Sequence, residues 1–307
     1  MEPLSFPAGG VAVIYRHAEI LSDHGIPAFV ALPSKPAVDF YDTHAPLIVH
    51  GGKLDPQPGD VWVIPEGWRE YMEALKSAPV KRIVFCQNQY YVAFTENPYA
   101  GFSEFDVDGV IASSESVRSF FQDVYELPRI PLIPCAIDPA IYFPSPAKRR
   151  QIAYMPRKLP EDAAFIYNAF RRRHRRYADL PWVAIGGTTQ REAAAIMAAS
   201  EVFLSLSHKE SFGLPPLEAM ACGCLVAGFH GDGGREYMTS ENGWWAETGD
   251  WKACVDGLAE ALDLLNCGGP ALAARRESMA ATVRHYSPER MEAELLGYWQ
   301  GLLSTPF

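Results

Sequence analysis

Two carboxylates bracket a Gly-Pro-Pro turn in the stretch "HKESFGLPPLEAMACGCLVAGFHGDGG", which runs from His208 to Gly234. The first, Glu210, follows the apolar run "VFLSLS"; the second, Glu218, falls in the first turn of a helix that opens on Pro215-Pro216. Prolines are tolerated there because first-turn N–H groups have no helical partner. Between the acids, Ser211, Phe212, Gly213 and Leu214 form a loop leading into a helix N-terminus. Free backbone N–H groups and the positive end of the helix dipole make such a loop an anion site, and Gly213 permits close backbone approach. A first-turn Glu218 also complements the dipole, but Glu210 has no such structural reason to stand at a strand tip. Carboxylates accept hydrogen bonds from hydroxyl groups. An anion site flanked by two such acceptors suits phosphates flanked by two hydroxyl-rich groups, the chemistry of a nucleotide sugar.

The elements that must position these residues alternate regularly. Gly9-Gly10 opens the helical pattern "VAVIYRHAEILSDHG", stopped by Gly25. Strands are predicted at "PAFVAL", "DVWVIPEG", "KRIVFCQ" and "VDGVIASS", with a short helix near Glu70–Ser77 and another over "ESVRSFFQDVY" capped by Ser114 or Ser116. "CAIDPAIYFPSPAKRR" is rich in proline and ends in charge, as a linker does. The alternation then restarts with strands at "QIAYMP", "WVAIGG", "VFLSLS" and "LVAGF", helices between them, and three helical stretches at 250–265, 270–285 and 288–303. Two rounds of strand–helix alternation predict an α/β chain of two doubly wound, Rossmann-like domains with mainly parallel sheets facing a cleft. Ligands in such sheets bind beyond the C-terminal strand ends. The expected boundaries are 1–137 for the first domain, 138–287 for the second, and 288–307 for a final helix.

The run from Glu210 to Gly223 resembles the E-x7-E signature of GT-B fold glycosyltransferases, in particular the retaining group called family 4, which reads roughly E-x-F-G-L-P-x-x-E-A-M-A-x-G. The resemblance implies that Glu210 contacts the transferred sugar and is the catalytic residue. It implies that Ser211, Phe212, Gly213 and Leu214 contact the diphosphate or sugar, and that Glu218 contacts the ribose. Gly9 and Gly10 resemble the glycine loop that approaches the donor phosphates. "IPCAIDPAIYFP" resembles the interdomain linker, often G-x-D-x-x-x-F-x-P, and "HYSPERMEAELLGYW" the helix that returns to the N-terminal domain. Arg157 stands where that group has its diphosphate-binding arginine. The lysine expected five residues later is replaced by Asp162, and Lys158 is the substitute. A histidine usual after the strand matching "KRIVFC" is replaced by Gln87-Asn88-Gln89, and Glu66 lies at another strand tip. Glu66, Gln87, Asn88 and Tyr90 are the acceptor-side candidates, with Tyr90 and Tyr91 able to stack on sugar faces. The usual first strand is barely present in "MEPLSFPA", so the N-terminal domain is expected to be shortened.

Composition bounds the rest. The 307 residues are 48% hydrophobic and 21% charged, as in a globular chain. No apolar run reaches the ~18 residues of a membrane span, so the expected address is cytoplasmic. The six cysteines show no C-x-x-C or zinc spacing and are expected to be buried, reduced thiols. No metal and no cofactor are expected beyond the nucleotide-diphosphate sugar as co-substrate. Asp106-x-Asp108 precedes a strand and is read as a loop. The net charge is −10, yet residues 148–191 hold 11 basic and 3 acidic side chains. Such a chain is no general nucleic-acid binder. The 148–176 basic segment is either a solvated helix end, with "RRRHRR" at a C-terminus where cations are favoured, or a surface for weak peripheral contact with the inner membrane face. The expected partners are a nucleotide sugar and a carbohydrate or lipid-linked acceptor. Two other readings fit the same residues: another GT-B enzyme such as a sugar-nucleotide epimerase, and a catalytically silent nucleotide-sugar binding module.

Overall fold

The computed structural model describes residues 8–36, 40–95 and 107–304. The barely present first strand, over residues 1–7, and the Asp106 half of Asp106-x-Asp108 lie outside them. The chain divides into two compact units, Met1–Cys135 with Glu289–Phe307, and Ala136–Pro288.

The first unit opens on α1 (Gly9–Asp23), which has Gly25 just beyond its end at φ 74°. β1 (Val30–Leu32) pairs in parallel with β2 (Leu47–Val49), and the buried face of α1 closes on them through Tyr15, Ala18, Val30, Leu32 and Ala45. β3 (Val61–Pro65), β4 (Lys81–Cys86) and β5 (Gly109–Ala112) form a second parallel sheet, in the order given. α2 (Arg69–Leu75), α3 (Gln89–Thr95) and α4 (Glu115–Val124) complete this part. Ser114, not Ser116, caps α4 by accepting from the Val117 N–H. The β3–β5 sheet and its helices bury one core around Ile64, Leu75, Val84, Val117 and Phe121. β2 and α3 carry no signal in the sequence reading: β2 is three residues long and exposed along its whole length.

The second unit is one sheet of β6 (Arg149–Tyr154), β7 (Trp182–Ala184), β8 (Ser200–Ser207), β9 (Leu225–His230) and β10 (Trp244–Ala246), all parallel, in the order β10-β9-β8-β6-β7. Its helices are α5 (Pro160–Arg173), α6 (Gln190–Ala198), α7 (Leu214–Ala221), the single turn α8 (Gly231–Gly234), α9 (Trp251–Cys267) and α10 (Gly269–His285). The last helix, α11 (Pro288–Leu303), lies almost wholly in the first unit and buries Met291, Leu295 and Trp299, one stripe at four-residue spacing. Thr189 and Glu192 form a reciprocal capping box at the start of α6. No helix among the described residues is long and apolar enough to cross a membrane.

The basic segment is partly neutralised within the second unit. Arg173 grips Asp256 of α9 with bonds of 2.6 and 2.8 Å, His174 reaches the same carboxylate at 2.9 Å, and Arg176 pairs with Asp263. Five cysteines are buried and free as expected; Cys267, at the end of α9, is exposed, because the helix terminates there in solvent. Burial pushes Cys222 up to about 12 and Cys224 to about 11, and both remain thiols.

Lys148 ties these helices to the sheet. Its ammonium donates to the carbonyls of Ala198 at 3.1 Å, Ser200 at 2.8 Å and Cys222 at 2.8 Å, so one cation serves the C-terminal ends of α6 and α7 together. A methionine keeps the aliphatic stem but leaves three partly buried carbonyls without that donor. Lys148→Met is expected to lower stability by about 2–4 kcal/mol in urea titration, with the urea dependence of the unfolding free energy unchanged.

Candidate active site

The strand order of the second unit reverses between β6 and β8, so the connections leaving their C-terminal ends diverge and open a crevice there. After a register shift between Arg149 and Ile152 the two strands pair evenly, with Tyr154 opposite Leu204. The loop after β6 carries Arg157 and Lys158, and the loop after β8 carries Glu210. These three side chains, with Met155, Ser205, Ser207, Pro215 and Pro216, line a cavity of about 70 Å³. Lys158 reaches toward Glu210, its Nζ 2.5 Å from Oε1. Asp162 instead sits with Glu161 in the first turn of α5, where acids oppose the dipole.

The 208–213 loop is held by α8 and the residues that follow it. Lys209 takes a left-handed φ of 47°, which is strained for a side chain with a Cβ. The carbonyl of Glu210 accepts from the Gly233 N–H at 2.7 Å. A Cβ on Gly233 would stand 1.8 Å from the carbonyl carbon of Ser211, so only glycine lets α8 approach this closely. Gly213 takes a φ of 85° as the N-cap of α7, and its carbonyl accepts from the Tyr237 hydroxyl at 2.5 Å. Ser211 and Phe212 are buried. The Phe212 ring packs against Tyr237 and Tyr286 at 5.2 and 5.0 Å between centroids. Their side chains therefore fix the loop, while Leu214 begins the helix.

Glu218 stands apart from the cavity wall. It is half-buried in side-chain exposure yet closely surrounded by protein, and desolvation raises its carboxyl to about 7 against the pull of a hydrogen bond from Tyr142. That bond, from the Tyr142 hydroxyl to Oε1, is 2.7 Å long.

The acceptor-side candidates gather in the first unit. Gln87 donates from Nε2 to the Gly10 carbonyl at 2.9 Å, and a Cβ on Gly10 would press on the Gln87 amide at 3.2 Å. Gly9 lies beside it at the start of α1. Glu66 is only 5% exposed; burial raises its carboxyl to about 7, while the main-chain N–H groups of Gln87 and Asn88 bond to it. Asn88 is buried and accepts from the Tyr90 N–H at 3.0 Å, a turn at the head of α3. Glu66 and Asn88 thus clip the tips of β3 and β4 together. Tyr90 is half-buried and Tyr91 is 43% exposed.

Sequence reasoning missed Tyr142, Tyr237, Gly233 and the Ser205–Ser207 pair. Only "HGDGG" carried a signal, since glycines clustered past a strand mark close backbone contact.

Residues 183–285 match the family described as Glycosyl transferases group 1. An alpha-1,6-glucosyltransferase of Actinobacillus pleuropneumoniae serotype 7 (strain AP76) is 24% identical over 264 residues, which cover 83% of this chain and 80% of that protein. Among solved structures, Anabaena HepE in complex with UDP-glucose superposes with a TM-score of 0.69 at 14% identity, covering 98% of each chain. A sucrose-phosphate synthase from Thermosynechococcus elongatus superposes with a TM-score of 0.69 at 16% identity, covering 97% of this chain and 94% of that one. The fold is GT-B and the chain is a glycosyltransferase.

A carboxyl raised from 4.5 to about 7 by folding binds more protons in the native state than in the unfolded chain between those values. Its contribution to stability is complete below about pH 4.5 and is lost as pH rises through 7. For Glu66 the loss is about 3 kcal/mol at most. Glu66→Gln removes this titration. Urea titrations from pH 4.5 to 8 are therefore expected to show a shallower fall in stability for Glu66→Gln than for wild type.

Proposed function

We propose that the chain is a retaining hexosyltransferase that moves a sugar from a nucleoside-diphosphate donor to a hydroxyl of a carbohydrate acceptor, free or lipid-linked, without a metal ion. The observation that carries this reading is the convergence of Arg157, Lys158 and Glu210 on one cavity at the switch point of the sheet. Glu210 and Glu218 occupy the positions of the E-x7-E pair, and we assign the sugar hydroxyls to Glu210 and the ribose to Glu218.

As the glycosidic C–O bond of the donor breaks, negative charge collects on the leaving diphosphate. Arg157, Lys158 and the backbone at the head of α7 stabilise that charge, and positive charge fixed before the reaction begins lowers the barrier most. Lys158 has three N–H donors and spends one on Glu210. It can therefore bridge the carboxylate that orients the sugar and the phosphate that departs. The acceptor hydroxyl attacks from the face that the diphosphate leaves, and a phosphate oxygen takes its proton, so no protein nucleophile is used. Glu66, Gln87, Asn88 and Tyr90 shape the acceptor side, and Gly9 and Gly10 are assigned to the approach to the donor phosphates. Arg172 and Arg175 are exposed and have no acidic partner among the described residues. With Arg149 and Arg171, also exposed and without an acidic partner among the described residues, they are the cations of the basic segment that we assign to an anionic surface at a lipid-linked acceptor.

Donor panels built on UDP, GDP and ADP, read by release of the free nucleoside diphosphate and by product analysis, test the assignment. Transfer with retained anomeric configuration is expected; epimerised donor, or binding with no turnover, would replace this reading by one of its two rivals. Glu210→Gln is expected to reduce kcat at least a hundredfold with little change in nucleoside-diphosphate affinity. Arg157→Ala is expected to weaken the nucleoside diphosphate by about one to two decades, the equivalent of 1.5–3 kcal/mol for a charge-assisted contact, and the bare nucleoside hardly at all. Equal losses for both ligands would assign Arg157 to the fold.

A further inference from the structure

The linker tyrosine is not accounted for by the reaction. Tyr142 is 6% exposed, and its hydroxyl lies 2.7 Å from Oε1 of Glu218, 76 residues away in the chain. Both belong to the second unit. A phenol has one proton, and this bond uses it. The side chain of Gln190, first residue of α6, also bonds to the Tyr142 oxygen. With the phenol proton committed, that bond can only run from the Gln190 amide N–H to the tyrosine. The result is a directed chain, Gln190 to Tyr142 to Glu218, in which each donation strengthens the next.

The chain ends in an unsaturated acceptor. An ionised carboxylate has about four acceptor positions. Among the described residues Glu218 receives one side-chain donor, Tyr142, on one oxygen. Desolvation outweighs that single bond, so the site as it stands costs free energy that a second donor would recover. Oε2 is left to accept, on a residue that is half-buried and not sealed. A vicinal diol supplies two O–H donors to one carboxylate edge.

We propose that Tyr142 is a positioning residue for nucleotide recognition: by holding Oε1 of Glu218 it turns Oε2 toward the ribose hydroxyls of the donor. This rests on the assignment of Glu218 to the ribose made above. It goes further in giving the linker a part in selecting ribonucleotides over deoxyribonucleotides. Tyr142→Phe keeps the buried ring and removes only the hydroxyl, so it is a mild change.

The full chain is titrated calorimetrically with UDP, GDP and ADP and with their 2′-deoxy counterparts, and the tightest-bound pair is carried into Tyr142→Phe and Glu218→Gln. Wild type is expected to prefer the ribonucleotide about tenfold, the value of one good hydrogen bond. In Tyr142→Phe the ribonucleotide weakens about five- to tenfold, the deoxynucleotide hardly changes, and the preference falls within about threefold. A second readout is pH. The other titratable groups facing Glu218 are Tyr142, Tyr237 and Cys222, all pushed up by burial, Cys222 to about 12. Ribonucleotide affinity in wild type therefore rises with pH as Glu218 ionises near 7. In Tyr142→Phe, without the donor that favours the carboxylate, the rise moves to higher pH. If Tyr142→Phe lowers the melting temperature but keeps both the preference and the pH profile, the tyrosine is structural and the proposal is overturned. If Glu218→Gln keeps the preference, or if wild type has none, the ribose assignment of Glu218 fails first. If Glu218→Gln loses the preference while Tyr142→Phe keeps it, this proposal alone fails.

Discussion

The contact on which the donor site depends is between two stretches of main chain. α8 lies against the 210–212 loop so tightly that the Gly233 N–H bonds to the Glu210 carbonyl and no Cβ fits between them. Without that approach the loop after β8 would be an ordinary strand-to-helix connection, free to move by its own length. With it, the direction of the Glu210 side chain, the left-handed turn at Gly213 and the start of α7 are set together. Tyr237, one turn beyond α8, secures the same loop from its other end by bonding the Gly213 carbonyl, and Phe212 fills the space between. Phosphate recognition at a helix terminus requires N–H groups that already point the right way. Here that orientation is imposed by the following β-α unit and not by the loop itself.

Two glutamates at strand tips and one within α7, Glu218, which lies past the first turn where it was expected, meet the cost of desolvation in three ways. Glu210 keeps a cation, Lys158, beside it. Glu66 is met by main-chain N–H groups of the neighbouring strand's loop, and so serves to hold β3 and β4 together at the end where Gly10 and Gln87 also touch. Glu218 has one phenol and an open edge. A carboxylate met by several fixed main-chain donors, as Glu66 is, is mostly structural; those that retain unmatched acceptor capacity, as Glu210 and Glu218 do, are suited to a ligand that comes and goes.

The second unit was largely legible in the sequence, because its strands are long apolar runs and its helices begin and end on Pro, Thr and Gly signals with local causes. Glu210 could be placed at a strand tip for the same reason. In the first unit β2 and α3 escaped notice: a three-residue exposed strand has no periodicity, and α3 is a seven-residue helix among aromatic residues that read equally well as loop. β10 is three residues of Trp-Trp-Ala whose strand character comes from pairing with β9. Tyr142 and Tyr237 were invisible because their partners are distant in the chain. The basic hexamer closes α5, as its helix-end reading had it, but its pairing could not be read. Its charge count is local, whereas its neutralisation by Asp256 and Asp263 depends on α9, some eighty residues on.

The one exposed thiol makes the second unit addressable by chemistry. Thiol reagents attack thiolates, and burial holds the thiols of Cys86, Cys222, Cys224 and Cys254 in the protonated form, out of reach. Cys267 ends a 17-residue helix about 25 Å long. Its neighbour Asn266 meets Arg150 at the start of β6, at the opposite end of the strands from Glu210. A maleimide dye or spin label would therefore settle on a single cysteine at the far end, where it could follow the second unit in solution without entering the crevice.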